Sequence, residues 1–271
     1  MTVSKRQILV PHDFSESSDF ALKHAVLLAK ITERDLALLH VVHDLKDEKT
    51  ASSKLTEISE GLKSKYNIDS RTIVRPGSVS SAIKVVAETI DAYVVVMFVH
   101  KPEGKERIWG SRSIRAMAGS RIPIFAVQAP PRRIALRRVV FPIDFRKENK
   151  EKLVWISFLS KFYTSKIYLV KPKANDYKIR NNVDFAKRFL EGKNIDYEIV
   201  STNAKYNIIQ DTLDFANEIR AELIIIMLSK NITNVKLMFG IREQKFIINE
   251  YKIPIMVLNP RADLRKYEGF F

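Results

Sequence analysis

The chain has 271 residues, of which 46% are hydrophobic and 28% are charged, a balance that is typical of a folded protein and excludes a wholly disordered one. It contains no cysteine, so disulfides, thiolate metal sites and a cysteine nucleophile are excluded. The formal net charge of +15 is uneven, because residues 1–131 hold 19 basic and 15 acidic side chains whereas residues 132–271 hold 27 and 16.

In the first half of the chain, short apolar runs alternate with segments of helical periodicity. The predicted strands are residues 8–11, 36–42, 71–74, 93–98 and 124–127. Between them, apolar residues recur over residues 20–28 and 79–90 at the spacing of one buried helical face. Continuous apolar strands separated by amphipathic helices are typical of a parallel sheet covered on both faces. We therefore expect a doubly wound α/β fold.

The second half repeats the first at an offset of 130 or 131 residues. VPHDF at residues 10–14 returns as FPIDF at 141–145, and IPI at 122–124 returns unchanged at 253–255. Each copy is long enough for a core of its own. We expect two domains, residues 1–130 and 131–271, each a five-stranded parallel sheet with helices on both faces.

Several nucleotide and hydrolase motifs are absent from the sequence. There is no Walker A loop, no GxGxxG after the first strand of either half, no GxSxG elbow and no HExxH pair. His40 and His43 are three positions apart at the end of a predicted strand, where strand geometry puts them on opposite faces, so they are not expected to share a metal. We predict neither a catalytic residue nor a metal site.

The candidate ligand site is the crevice that right-handed crossovers leave at the carboxyl ends of the strands. Asp13 follows the first predicted strand, and Val41 lies near the end of the second. Gly110 and Ser111 open a predicted helix, whose free N–H groups and partial positive charge suit a phosphate. A plain basic loop in which Ser111 only caps the helix is the alternative.

Four separated motifs together resemble a universal stress protein domain. They are VPHDFS at 10–15, LHVV at 39–42, the stretch from His100 to the Gly-Ser pair at 110–111, and IPIFAV at 122–127. The second half resembles the same family more faintly, so the whole chain resembles a tandem universal stress protein. The resemblance implies an adenine nucleotide alpha hydrolase-like fold, with ATP in the crevice of many members.

The resemblance also implies which residues of the first domain would hold a nucleotide. The implied residues are Pro11, Asp13, Val41, His100, Gly104, Gly110 and Ser111. Asp13 and Val41 would hold the adenosine, and Gly110 and Ser111 would hold the phosphates.

Two positions of this site depart from the family pattern. Where ATP-binding members carry a pair of glycines, this chain has Phe98 and Lys101, and the ring of Phe98 can fill the pocket. The second half departs further, since the corresponding positions are Leu228, Asn231, Asn234, Gly240 and Ile241. We expect the second site to be empty and the first to be weak.

The leading functional hypothesis is therefore a stress-response binding protein without enzymatic activity, with at most one weak adenine-nucleotide site. One alternative is an ATP-binding sensor or slow ATPase that uses the first domain, with His100 and Asp13 as the polar candidates for a base. Another is a polyanion-binding module that uses the basic second half. Nucleic acid is not an expected partner, because no recognition helix and no interleaved aromatic and basic strand surface is visible.

Family likeness further implies dimerisation through the last strand of each domain. In a tandem chain, residues 124–127 and 255–258 can pair within one molecule, or two chains can form a homodimer. The longest apolar runs, residues 94–99 and 223–228, are far shorter than the roughly 20 residues that span a membrane. The N-terminus has no apolar segment, so we expect a cytoplasmic protein with no membrane partner.

Overall fold

A computed structural model describes residues 6–100, 120–133, 136–144, 149–162, 164–174, 176–203, 208–228 and 241–259. The chain divides into two compact units, one of Met1–Ile134 with Ile247–Met256 and the other of Ala135–Phe246 with Val257–Phe271. The expectations that concern Lys101, Gly104, Gly110, Ser111, Asn231, Asn234 and Gly240 lie outside the described residues.

The first unit is an alternation of strands and helices. Its elements are β1 (Ile8–Pro11), α1 (Glu16–Thr32), β2 (Leu36–Val42), a short 3-10 turn (Leu45–Asp47), α2 (Glu48–Tyr66), β3 (Ser70–Pro76), α3 (Val79–Thr89), β4 (Val94–Phe98) and β5 (Ile124–Val127). Strands β1, β4 and β5 are apolar and rich in β-branched residues, and Ile8, Leu36 and Val95 are fully buried in the sheet.

All strand pairs of the first unit are parallel, in the order β3-β2-β1-β4-β5. The central strand β1 pairs on one side with β2, with Ile8 opposite Leu36, and on the other side with β4, with Ile8 opposite Val94. Since the chain leaves β1 in one direction towards β2 and later returns on the other side to β4, the winding reverses at the end of β1.

The chain after β5 has the same alternation, and most of its elements belong to the second unit. Its elements are β6 (Arg138–Pro142), α4 (Asn149–Leu159), β7 (Lys166–Lys171), α5 (Tyr177–Glu191), β8 (Tyr197–Ser201), α6 (Ile209–Glu218), β9 (Leu223–Met227), α7 (Ile241–Ile247) and β10 (Ile255–Leu258). Strand β6 pairs in parallel with β7 and β9, and β7 pairs in parallel with β8, in the order β8-β7-β6-β9-β10.

The α/β fold predicted from the sequence is confirmed. Three strands of the first unit, β1, β2 and β5, have the predicted bounds, and β3 and β4 differ from the prediction only at their ends. The apolar helical face predicted around His24 is buried, as Ala21, Ala25 and Leu28 are at most 7% exposed. Within the described residues, no helix has the length and apolar character needed to cross a membrane.

Candidate functional site

The turn between β1 and α1 holds the Asp13 carboxylate in a fixed position. Its Oδ1 accepts hydrogen bonds from the backbone N–H of Ser15 at 3.0 Å, from the Ser15 hydroxyl at 2.5 Å, and from the Ser18 hydroxyl. Ser15 is also the N-cap of α1, where its hydroxyl accepts from the Ser18 N–H at 3.3 Å. Within the described residues, Oδ2 of Asp13 accepts no hydrogen bond, so it is the oxygen that can receive a hydroxyl of a ligand.

These contacts keep Asp13 ionised. Partial desolvation raises the pKa of Asp13, but the hydrogen bonds from the Ser15 and Ser18 side chains and from the Ser15 backbone outweigh it, so that the pKa lies below its ordinary value. A carboxylate of this kind is a good hydrogen-bond acceptor and a poor base. Asp13 is therefore suited to binding a ligand hydroxyl rather than to removing its proton.

His12, directly before Asp13, is buried and locked in one tautomer. Its Nδ1 accepts the Phe14 N–H at 3.1 Å, so the ring proton lies on Nε2, which donates to Asp19 Oδ1 at 3.1 Å. Burial lowers the pKa of His12, although the Asp19 carboxylate acts in the opposite direction. The neutral side chain of His12 thus stabilises the turn through these two hydrogen bonds.

Phe14 follows Asp13 with a left-handed backbone (φ 66°), which a bulky side chain seldom adopts. Its ring stacks on the imidazole of His40, with ring centroids 4.3 Å apart. His40 donates in turn from Nδ1 to the carbonyl oxygen of His12 at 2.7 Å. The stacking contact with His40 and the hydrogen bond from His40 to His12 stabilise the strained backbone of Phe14. Because His40 is on β2, these contacts also connect β2 to the turn after β1, beside Asp13.

A pocket of about 140 Å³ opens at the carboxyl ends of β1, β2 and β4. Four of the predicted site residues line it, namely Pro11, Asp13, Val41 and His100. The other three, Gly104, Gly110 and Ser111, lie outside the described residues. The structure thus brings together the predicted residues that it describes, at the point where the winding of the sheet reverses.

Phe98, at a position where the resemblance implies a glycine, forms part of the pocket wall. The centroid of its ring lies 6.0 Å from that of Phe20 and 6.1 Å from that of His100. Met97 and Ile83 complete the apolar side of the pocket. The aromatic wall takes up space that a smaller residue would leave to a ligand.

Sequence reasoning missed three members of the site, His12, Ser18 and His40. His12 and His40 had no partner that the sequence could name, because each acts on a backbone group or a side chain of another segment. Ser18 carried a usable signal: serines two and five positions after an aspartate that ends a strand are placed to hydrogen-bond it in the first helical turn.

The second unit has a different arrangement at the corresponding strand end. Lys152, at the repeat position of Ala21, is 1% exposed and donates from Nζ to the carbonyl oxygen of Pro142 at 2.6 Å. Its Nζ also lies 4.3 Å from the ring centroid of Phe141. A cation of the chain itself therefore lies at the end of β6. Across the described residues of both units, no cluster of three or more His, Asp or Glu side chains is suited to a metal ion.

Comparison with known proteins gives a family match for the first half of the chain. Residues 5–128 match the model of the universal stress protein family. A search of the curated proteins gives no match.

Solved structures match the fold over nearly the whole chain. A universal stress protein from Archaeoglobus fulgidus DSM 4304 is similar with a TM-score of 0.77 and 17% identity, over 95% of this chain and 97% of that one. A functionally unknown protein from Pseudomonas aeruginosa PAO1 is similar with a TM-score of 0.68 and 15% identity, over 94% of this chain and 92% of that one. At these identities the similarity establishes the fold.

Proposed function

We propose that this chain is a tandem universal stress protein that acts in the stress response by binding, without catalysis, and that it holds at most one weak adenine-nucleotide site, in the first unit. The match of residues 5–128 to the family supports the assignment of the first half. The internal repeat supports extending it to the second. The proposal of a nucleotide site rests on the pocket at the strand ends, which is lined by Pro11, Asp13, Val41 and His100.

The size of the pocket supports weak binding. Sites for drug-sized ligands commonly have volumes of roughly 300–1,000 Å³, whereas this pocket has about 140 Å³. Asp13 Oδ2 and the apolar side chain of Val41 suit an adenosine, which needs a hydroxyl acceptor and a flat apolar contact. A nucleotide must displace the Phe98 ring to enter fully, and the cost of that displacement reduces its affinity.

The end of β6 supports one site in the chain rather than two. There the ammonium group of Lys152 satisfies the carbonyl oxygen of Pro142, which corresponds in the repeat to Pro11 of the first pocket. The buried ammonium group makes this strand end different in charge and packing from the end of β1, where the first pocket opens.

The pocket chemistry favours binding over hydrolysis. Attack of water on a terminal phosphate needs a positioned base or water-orienting group. Asp13 is a poor base because its pKa is lowered, and His12 is buried with both ring nitrogens occupied. The alternative, an ATP sensor or slow ATPase, would depend on His100.

The proposal includes pairing of the last strands, Ile124–Val127 and Ile255–Leu258, within one chain, so that a single molecule replaces a dimer. The duplication of the sequence is the observation that supports it. Sedimentation velocity should then give a monomer of 31.3 kDa at micromolar concentration. A stable homodimer would contradict this part of the proposal and leave the nucleotide part intact.

Isothermal titration calorimetry with ATP, ADP and GTP tests the ligand. We expect at most one site per chain, with a Kd on the order of 1 mM for the adenine nucleotides, and weaker binding of GTP. Phe98→Ala should tighten ATP binding at least tenfold because it enlarges the pocket. Phe162→Ala removes a phenylalanine that is 37% exposed and outside the pocket, so it is the matched control and should change nothing.

Two tight sites per chain, or a Phe98→Ala variant no tighter than Phe162→Ala, would overturn the proposed site. Phosphate release from ATP tests the absence of catalysis. The rate should stay at the uncatalysed background for the wild type and for Ser111→Ala. A measurable turnover that His100→Ala or Ser111→Ala abolishes would instead establish the slow ATPase.

A further inference from the structure

The positive charge of the chain is concentrated in one segment of the second unit. Residues 145–193 hold 13 basic and 5 acidic side chains, so this segment carries more than half of the net charge of +15. The segment comprises α4, β7 and α5. Because β7 is a strand between two others, the surface charge belongs mainly to the two helices and their flanks.

A groove of about 540 Å³ lies on these two helices. The side chains that matter for its chemistry are Lys150, Lys178, Asn181, Asp184, Phe185 and Arg188. Lys150 lies in the first turn of α4, whereas Lys178 and Arg188 lie ten positions apart on α5, which corresponds to about 15 Å along a helix. The groove is thus an elongated concave site bordered by three cations.

The three cations are available to a ligand. Within the described residues, no carboxylate lies at ion-pairing distance from Lys150, Lys178 or Arg188. All three side chains are exposed. Unpaired cations aligned along one groove attract an anion that is itself elongated, since each further charge on it meets a further cation.

The other contacts of the groove indicate the kind of anion. Lys150 covers one face of the Phe185 ring, since its Nζ lies 4.3 Å from the ring centroid, so a nucleobase cannot stack on that face while the contact persists. The Asn181 amide and the Arg188 guanidinium supply N–H groups, and phosphate oxygens accept directional hydrogen bonds from such groups. Asp184 is the acidic residue of the groove and weakens binding of any anion.

We propose that the groove between α4 and α5 binds an inorganic polyphosphate chain through Lys150, Lys178 and Arg188. A polyphosphate is linear, carries negative charge along its whole length and has no base that needs a stacking partner. This inference concerns the second unit and does not depend on the nucleotide site of the first.

Fluorescence anisotropy with a labelled polyphosphate of about 15 phosphates tests the proposal. Each phosphate contact contributes roughly −0.7 to the slope of log binding constant against log salt concentration. Three contacts therefore predict a slope of about −2. The double variant Lys178→Gln/Arg188→Gln should lose at least tenfold in affinity, and its slope should fall to about −0.7. Asp184→Asn should tighten binding about twofold, because it removes the opposing charge.

The control is Arg180→Gln/Lys193→Gln, which removes the same charge from α5 and its flank outside the groove. It should keep wild-type affinity within about twofold, and all variants should keep the wild-type melting temperature. An equal loss of affinity in both double variants would show that polyphosphate is attracted by the overall positive charge, and it would overturn the proposed groove site. Equally tight binding of a polyglutamate of matched charge, or tighter binding of a single-stranded oligonucleotide, would overturn the ligand class.

Discussion

Lys152 Nζ lies 2.6 Å from the carbonyl oxygen of Pro142, to which it donates a hydrogen bond in the interior of the second unit. The first unit has a small residue, Ala21, at the repeat position of Lys152, and there the strand end borders an open pocket. The two copies thus differ beside this strand end, where the second has a buried lysine and the first a buried alanine.

Lys152→Met should destabilise the second unit. The buried Pro142 carbonyl would lose its donor, and a buried polar group without a partner costs about 1–3 kcal/mol. Urea denaturation monitored by tryptophan fluorescence measures the effect. Lys161→Met, which replaces an exposed lysine just after α4, is the control and should stay within about 0.5 kcal/mol of the wild type. Equal stability of the two variants would contradict the role assigned to the hydrogen bond.

At position 14, a glycine variant should be more stable than an alanine variant, which is the reverse of the usual order of stability. Both lose the stack on His40, but glycine adopts the left-handed backbone at φ 66° without the steric cost that alanine retains. Phe14→Gly should therefore be more stable than Phe14→Ala by about 1 kcal/mol. At Phe20, inside α1, the order should be the normal one, with alanine more stable by about 1 kcal/mol. Chemical denaturation of the four variants checks both comparisons.

Ser18→Ala should raise the pKa of Asp13. The Ser18 hydroxyl donates to Asp13 Oδ1 and so stabilises the ionised carboxyl, and its removal leaves the desolvation less well opposed. Because a lowered carboxyl pKa stabilises the fold above the unfolded-state pKa and loses that effect as the pH falls, the variant should lose less stability on acidification. NMR titration of the Asp13 carboxyl carbon measures the shift. Ser17→Ala, in the same pocket but without this hydrogen bond, should leave the titration unchanged.

Local pattern was enough to predict the fold, and it predicted only part of the site. The strand bounds followed from apolar runs such as Ile8–Pro11, because both faces of a central parallel strand are buried and the whole run must be apolar. Asp13 and Val41 could be placed at the pocket because strand ends meet at one edge of the sheet. The His40 contact with the His12 carbonyl joins residues 28 positions apart, and no local periodicity encodes such a pair.

The burial of Lys152 also could not be predicted from the local sequence. Lys152 lies two positions after Lys150 in α4, and nothing in the local sequence distinguishes the buried lysine from the exposed one. Only the packing of α4 against the end of β6 makes one lysine a buried donor and the other a surface cation. That the second site is empty remains a prediction from its missing glycines, and the contact of Lys152 with Pro142 was not predicted.

His24 should make the first unit lose stability on acidification. It lies on the buried face of α1, 7% exposed, and donates from Nε2 to the carbonyl oxygen of Ala129 at 3.0 Å. Burial lowers its pKa to about 4, although the hydrogen bond to Ala129 acts in the opposite direction. The unfolded chain has the ordinary pKa of about 6.5, so below this pH the unfolded state binds a proton that the folded state excludes.

The stability that neutral His24 provides is therefore complete above pH 6.5 and is lost as the pH falls towards 4. A difference of about 2.5 pKa units corresponds to on the order of 3 kcal/mol. His24→Gln has no titrating group at this position, so its stability should vary less between pH 7 and pH 4.5 than that of the wild type. His43→Gln, at an exposed histidine, should retain the wild-type pH dependence. Urea denaturation at intervals of half a pH unit measures all three proteins, and parallel curves for the wild type and His24→Gln would show that His24 is not the group responsible.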